Sequence, residues 1–125
     1  MGIARFSAVN PVVPVRDVPA AIRYYTERLG FGLRFQDDPH DPRYAGVERD
    51  GICLHLQWHD PADFREQVDT LMVRFVVDDV DALFEEYHDK QVFHAQTAVR
   101  DTMWGTREFA FYDADGNGLT FSRTR

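Results

Sequence analysis

Four stretches of the chain alternate apolar and polar positions. Pro11, Val13 and Val15 share one parity against Asn10, Val12 and Pro14, and Ile52, Leu54 and Leu56 oppose Cys53, His55 and Gln57. Val73, Phe75 and Val77 oppose Met72, Arg74 and Val76, while Leu119 and Phe121 oppose Gly118, Thr120 and Ser122. Successive side chains of a strand leave opposite faces of a sheet, so the apolar parity must face packed helices. Two other stretches change to helical spacing, one after Asp17 and one after Asp79. Each Asp can accept from free first-turn N–H groups as an N-cap, and Gly30 suits a left-handed stop to the first helix. The pattern predicts strands over residues 7–15, 31–36, 43–49, 52–58, 70–77, 92–97, 106–112 and 118–123.

The pattern repeats. Laying residues 13–31 over 75–93 pairs Val15 with Val77, Asp17 with Asp79, Val18 with Val80, Ala20 with Ala82, Tyr25 with Tyr87 and Phe31 with Phe93. Downstream, Asp50-Gly51 falls on Asp115-Gly116 and Leu54 on Leu119. Each copy is strand, helix, then three strands, so residues 1–125 read as a single domain of two βαβββ modules, at about 7–58 and 70–123. HDPADFREQVD between them reads as a linker with a helical turn near Pro61. The segment DADGNG has the opening spacing of a calcium loop, but the twelfth position is Thr124 where such a loop needs a bidentate Glu, and strands flank it. It is expected to be a hairpin turn, where Gly116, Asn117 and Gly118 can adopt positive φ at little cost.

Composition narrows the function classes. Twenty-one acidic against fourteen basic side chains give a formal charge of -7, which repels a phosphate backbone, so no nucleic-acid partner is expected. The same charge suits a cationic ligand. There is no run of 18 apolar residues and no secretion signal at the start, so neither membrane insertion nor export is expected and the expected location is cytoplasmic. Cys53 is the only cysteine, which rules out an intrachain disulfide or a cysteine-built zinc site.

The less apolar sheet face carries Asn10, His55, Gln57, Arg74, Thr120 and Ser122 among small or apolar residues. It fits a partly wet cavity or an ordinary exposed face with a few bonded polar groups. His55 and Arg74 are the candidates for catalysis, as general base and as stabiliser of developing negative charge across one cavity. No Ser-His-Asp or Cys-His pattern accompanies them.

The paired modules, with VPVRDVPAAIRYYTERLGF in the first and WGTREFAFYDADGNGLTF closing the second, resemble the vicinal oxygen chelate superfamily and its glyoxalase and bleomycin resistance branch. The resemblance implies an α+β fold in which the two tandem modules form an open, cup-shaped eight-stranded mixed sheet. Metal-dependent members hold an ion with four inward side chains, and those positions fall here on Asn10, His55, Met72 and Thr120. Only His55 is a good donor for a divalent ion, so no metal and no other cofactor is expected. The bleomycin-binding members resemble this sequence at VNPVVPVRDV, RYAGVERDG and MWGTREFAF. That likeness implies a homodimer whose grooves stack a planar cation between aromatic side chains, with Tyr44 and Trp104 at the stacking positions and Tyr44 replacing the usual Phe. It also makes Pro11 the hinge at which the N-terminal strand can cross to a partner. The expected ligand set is Tyr44, Trp104, Asn10, His55, Gln57, Arg74 and Thr120, in a metal-free protein that sequesters a bleomycin-like antibiotic or related small molecule. A glyoxalase-like lyase or a dioxygenase-like enzyme acting on a small metabolite, and a protein-interaction module with no small ligand, are the alternatives.

Overall fold

In the computed structural model, which describes residues 2–64 and 71–125, both aspartates cap their helices. Asp17 accepts from the Ala20 N–H at 3.0 Å and Asp79 from the Ala82 N–H at 2.9 Å. The elements are β1 (Val12–Val15), α1 (Val18–Arg23), β2 (Gly32–Gln36), β3 (Tyr44–Arg49), β4 (Ile52–Trp58), β5 (Met72–Val76), α2 (Val80–Asp89), β6 (Arg100–Asp101), β7 (Thr106–Tyr112) and β8 (Gly118–Thr124). α1 continues as a π-helix over Tyr24–Arg28, where the Thr26 hydroxyl donates to the Ile22 carbonyl at 2.7 Å. Gly30, at φ 80°, ends this helix as expected. In the linker, Pro61–Asp63 forms a 3-10 turn and residues 65–70 lie outside the described residues. Among the described residues no helix is long and apolar enough to cross a membrane.

The eight strands form two four-stranded mixed sheets, ordered β1-β4-β3-β2 and β5-β8-β7-β6. In each, the first strand pairs in parallel with the last, and the remaining pairs are antiparallel. The apolar parity faces inward: Val13, Val15, Leu54, Leu56, Val73, Leu119 and Phe121 are buried, with Tyr25 and Tyr87 at equivalent places on the two helices. Ile52 departs from this rule because it begins β4 beside the Asp50-Gly51 turn, and it stays half exposed. Ser122, read as part of the polar face, is buried and donates to the Phe75 carbonyl at 3.3 Å.

Two strands differ from expectation. β1 begins at Val12 instead of residue 7. Pro11 lacks an N–H, and residues 2–10 run exposed with Phe6 fully in solvent. β6 is Arg100–Asp101, and residues 92–97 are not a strand. The apolar pair Val92-Phe93 instead plugs the core at the end of α2, where Phe93 packs on Phe84 with centroids 4.7 Å apart.

Polar contacts between the modules join at the DADGNG turn. Asp113, buried at the end of β7, accepts from the Tyr25 hydroxyl of the first module at 2.7 Å, from the Asn117 N–H at 2.9 Å and from the Asp115 N–H at 2.9 Å. Asn117 donates its side-chain amide to the Pro14 carbonyl at 3.0 Å, and Asp115 accepts from the Arg16 backbone N–H at 3.0 Å. Burial pushes the Asp113 carboxyl above the ordinary aspartate range, against the lowering effect of the donors around it, and pushes the Tyr25 hydroxyl well up. Only Gly116, at φ 83°, uses positive φ here. Asn117 and Gly118 do not, and side-chain bonds to Asp113 help to hold the turn. A second joint lies at the other end of the helices. There Tyr87 donates to the Leu29 carbonyl at 2.7 Å, while Arg49 makes a two-pronged pair with Glu86 at 2.8 and 2.9 Å. Burial pushes the Tyr87 hydroxyl up to about 12.

Replacing Tyr25 with Phe keeps the ring and removes one donor from a buried carboxyl. The expected loss is about 1–3 kcal/mol of unfolding free energy in urea denaturation, and a loss below about 0.5 kcal/mol would contradict the role given to this bond.

Candidate functional site

Because the helices cover one face of each sheet, the opposite faces are free to form a site. On the first sheet, cross-strand register places Tyr44 beside Gln57, Gly46 beside His55 and Phe35 beside Gly46. β2 reaches this arrangement through a register shift between Leu33 and Phe35, which puts Leu33 opposite buried Val47 but turns Phe35 to the helix-free face. The Phe35 ring then lies on the Gly46 backbone, so close that a Cβ at Gly46 would sit 2.2 Å from it. Phe35 stacks with Tyr44 at 6.2 Å and 20°, and meets His55 edge-on at 5.2 Å. The Tyr44 hydroxyl and His55 Nδ1 are 2.7 Å apart, which fixes both rings. Gln57 lies at the exposed end of β4, with its side-chain oxygen 3.2 Å from His59 Nε2. Trp58 turns inward and packs against the core, with the Arg43 guanidinium 4.4 Å above its ring.

On the second sheet the helix-free face carries Met72, Arg74, Thr120, Ala110, Tyr112 and Glu108. Arg74 is paired with Glu108, which is 5% exposed, and Glu108 also accepts from the Thr106 hydroxyl at 2.8 Å. Burial acts to raise the Glu108 carboxyl, but the Arg74 and Thr106 hydrogen bonds outweigh it and hold the carboxyl below the ordinary glutamate range. Thr120 lines a cavity of about 200 Å³ with Met72, Ala110, Tyr112, His94 and Gln96. His94 anchors the side of this cavity by accepting the Tyr112 N–H on Nε2 at 3.0 Å. The Met72 side chain lies over Gly118, where a Cβ would sit 2.7 Å from the Met72 sulfur.

His55 and Arg74 therefore belong to different sheets, and neither lines the cavities of about 510 and 200 Å³, contrary to the arrangement expected for a base and its charge stabiliser. Asn10 is exposed ahead of β1. Trp104 stands 66% exposed on the turn between β6 and β7, and its ring packs on no other ring among the described residues. Within one chain it does not meet Tyr44. Of the four positions at which a metal would sit, His55 offers a nitrogen already bonded to Tyr44, and Asn10, Met72 and Thr120 are poor donors for a divalent ion. No three His, Cys, Asp or Glu side chains converge among the described residues. In the DADGNG turn, Asp113 is taken by Tyr25 and Asn117 and Asp115 by Arg16.

Phe35, Gly46 and Glu108 are site residues that the alternation did not reveal. A glycine in mid-strand YAGVER was the signal for a close approach, and the charges in apolar MVRFV and REFAF, Arg74 in one and Glu108 beside Arg107 in the other, were the signal for a buried pair.

The chain has relatives along nearly its whole length. A bleomycin resistance protein of Geobacillus stearothermophilus is 25% identical over 125 aligned residues, spanning 89% of this chain and 92% of the relative. The crystal structure of the bleomycin-binding protein from bleomycin-producing Streptomyces verticillus, complexed with copper(II)-bleomycin, superposes with a TM-score of 0.80 at 29% identity, over 98% of this chain and 100% of that one. The crystal structure of TnmS3, an antibiotic binding protein from Streptomyces sp. CB03234, superposes with a TM-score of 0.70 at 27% identity, over 98% and 100%. Residues 5–121 match the family model described as the glyoxalase/bleomycin resistance protein/dioxygenase superfamily, and the chain belongs to that family.

Proposed function

We propose that the protein is a metal-free homodimer that sequesters a planar cationic antibiotic of the bleomycin class by binding alone. The observation that carries this reading is the Phe35–Tyr44 stack, open to solvent on a helix-free face and held rigid by His55 and Gly46. Stacked rings that are immobilised before the ligand arrives offer flat apolar area at little entropic cost. The Tyr44 hydroxyl, which replaces the apolar edge of a Phe, is occupied by His55 and so does not obstruct a stacking ligand. Trp104, exposed and without a ring partner in its own chain, suits the opposite wall of a groove completed by a second copy. A second copy would also cover Ile3, Phe6, Val9 and Met72, which one chain leaves in water. The net charge of -7 favours a cationic drug. The likeness to proteins that bind bleomycin supports the same ligand class.

Chelator-treated protein titrated with metal-free bleomycin should bind it saturably, read by the fluorescence of Trp58 and Trp104. Trp104→Ala should weaken binding about 2- to 30-fold, the equivalent of about 0.5–2 kcal/mol for one stacking contact. Gly46→Ala should act in the same direction by displacing the Phe35 ring. Undiminished binding by Trp104→Ala would contradict the groove. Sedimentation equilibrium should return twice the 14.5 kDa of one chain.

Acid should release the clamp on Arg74. The Glu108 carboxyl ionises below its usual range in the folded chain, so its contribution to stability is present above the unfolded value, about 4.3, and is lost as pH falls through the folded value. Glu108→Gln should flatten the acid limb of unfolding free energy against pH. An unchanged slope would count against the pair.

A further inference from the structure

A cavity of about 510 Å³ opens on the helix side of the chain, where the two modules meet. Of its lining residues only Val76, at the end of β5, shares the parity of a helix-free face. Its floor is aromatic and drawn from both modules: Phe31 meets Phe75 edge-on at 6.3 Å, and Phe75 stacks flat on Phe121 at 4.9 Å and 6°. Ile52 and Val76 form apolar walls that remain 53% and 82% exposed. The rim is acidic, with Asp50, Asp78, Asp79 and Glu86 around one cation, Arg49. That guanidinium is already held by both Glu86 oxygens and by the Leu29 carbonyl, while Asp79 is engaged as the α2 cap. Asp50 lies 3.8 Å from Arg49 in the β3–β4 turn, and the Asp78 carboxylate has no hydrogen-bond or ion-pair partner among the described residues.

We propose that this cleft between the modules is a second small-molecule site, which takes an organic cation with an aromatic body. The volume is that of a pocket for a drug-sized ligand, and half-buried Phe75, backed by the buried rings of Phe31 and Phe121, gives such a body an apolar seat. Four carboxylates against one committed guanidinium leave the mouth negative, and the half-open, low-dielectric walls concentrate that field on a bound cation. An anion of the same shape meets repulsion at the same mouth. Neither Tyr44 nor Trp104 lines the cleft, which is separate from the proposed antibiotic groove.

The test is a titration of the full-length, 15N-labelled protein with proflavine, a planar aromatic cation, at low ionic strength, followed by backbone amide shifts. Saturable shifts are expected at Val77, Asp78, Ala82 and Leu83. Ala82→Trp, which fills the mouth from an exposed helix position, should weaken the affinity at these amides about tenfold or more. The exposed pair Asp50→Asn/Asp78→Asn should weaken it several-fold, with the difference shrinking in about 0.5 M salt, and the rest of its amide spectrum reports that the fold is kept. Tyr44→Ala and Trp104→Ala should leave these shifts in place, which separates failure of this site from failure of the groove. The proposal is overturned if about 1 mM proflavine shifts only amides of the helix-free faces or none at all, or if Ala82→Trp binds as the wild type does. Equal shifts at the cleft with the anion 1-anilinonaphthalene-8-sulfonate would overturn the assignment of a cation.

Discussion

One buried carboxyl ties the two halves of the chain together. Asp113 sits at the end of β7, yet its strongest side-chain donor, the Tyr25 hydroxyl, comes from the helix of the other module. A buried polar group of this kind is costly unless its bonds are made, and these bonds can be made only when the two modules meet in one relative position. Asn117 and Arg16 reinforce the same joint, and Arg49, Glu86 and Tyr87 form a second one at the far end of the helices. The turn that resembles the start of a calcium loop is thus a polar lock, with its carboxylates spent on protein donors.

The lock determines what remains free. With the helix sides packed together, each sheet turns its helix-free face outward, and the Tyr44 cluster and the Arg74–Glu108 pair end up on separate surfaces of one chain. Chemistry that needs His55 and Arg74 together gains no support from this arrangement. Binding between flat walls from two copies does gain support, because each copy presents a rigid aromatic stack on one sheet and an exposed tryptophan on the other. Rigidity matters here: Gly46 and the His55 bond hold the rings in place before any ligand arrives, so little side-chain freedom is left to lose on binding.

Most of the fold was legible because it is written twice. Asp17 and Asp79 cap equivalent helices, Tyr25 and Tyr87 are buried at equivalent points, and the apolar parity of four strands matches the core. Parity failed where a local feature broke the period of two. The register shift ahead of Phe35 moved that ring to the opposite face, so the first sheet's aromatic stack was half hidden from the sequence. Val92 and Phe93 look like a strand but serve as a plug, because apolar residues that follow a helix can fill its end as readily as they can pair. Long-range polar pairs such as Arg74 with Glu108 leave no periodic mark at all: Arg74 is a single charge in its apolar strand, and Glu108 stands beside Arg107, which pairs with Asp81 and Asp101.

The central claim is that the groove is assembled from Tyr44 of one subunit and Trp104 of another. Differently tagged Tyr44→Ala and Trp104→Ala chains can be co-refolded, and the mixed dimer purified through both tags and titrated with bleomycin. The account predicts one binding site per mixed dimer with wild-type affinity, because one groove keeps both aromatic residues and the other loses both. Two equally weakened sites per mixed dimer, or no binding at all, would contradict it.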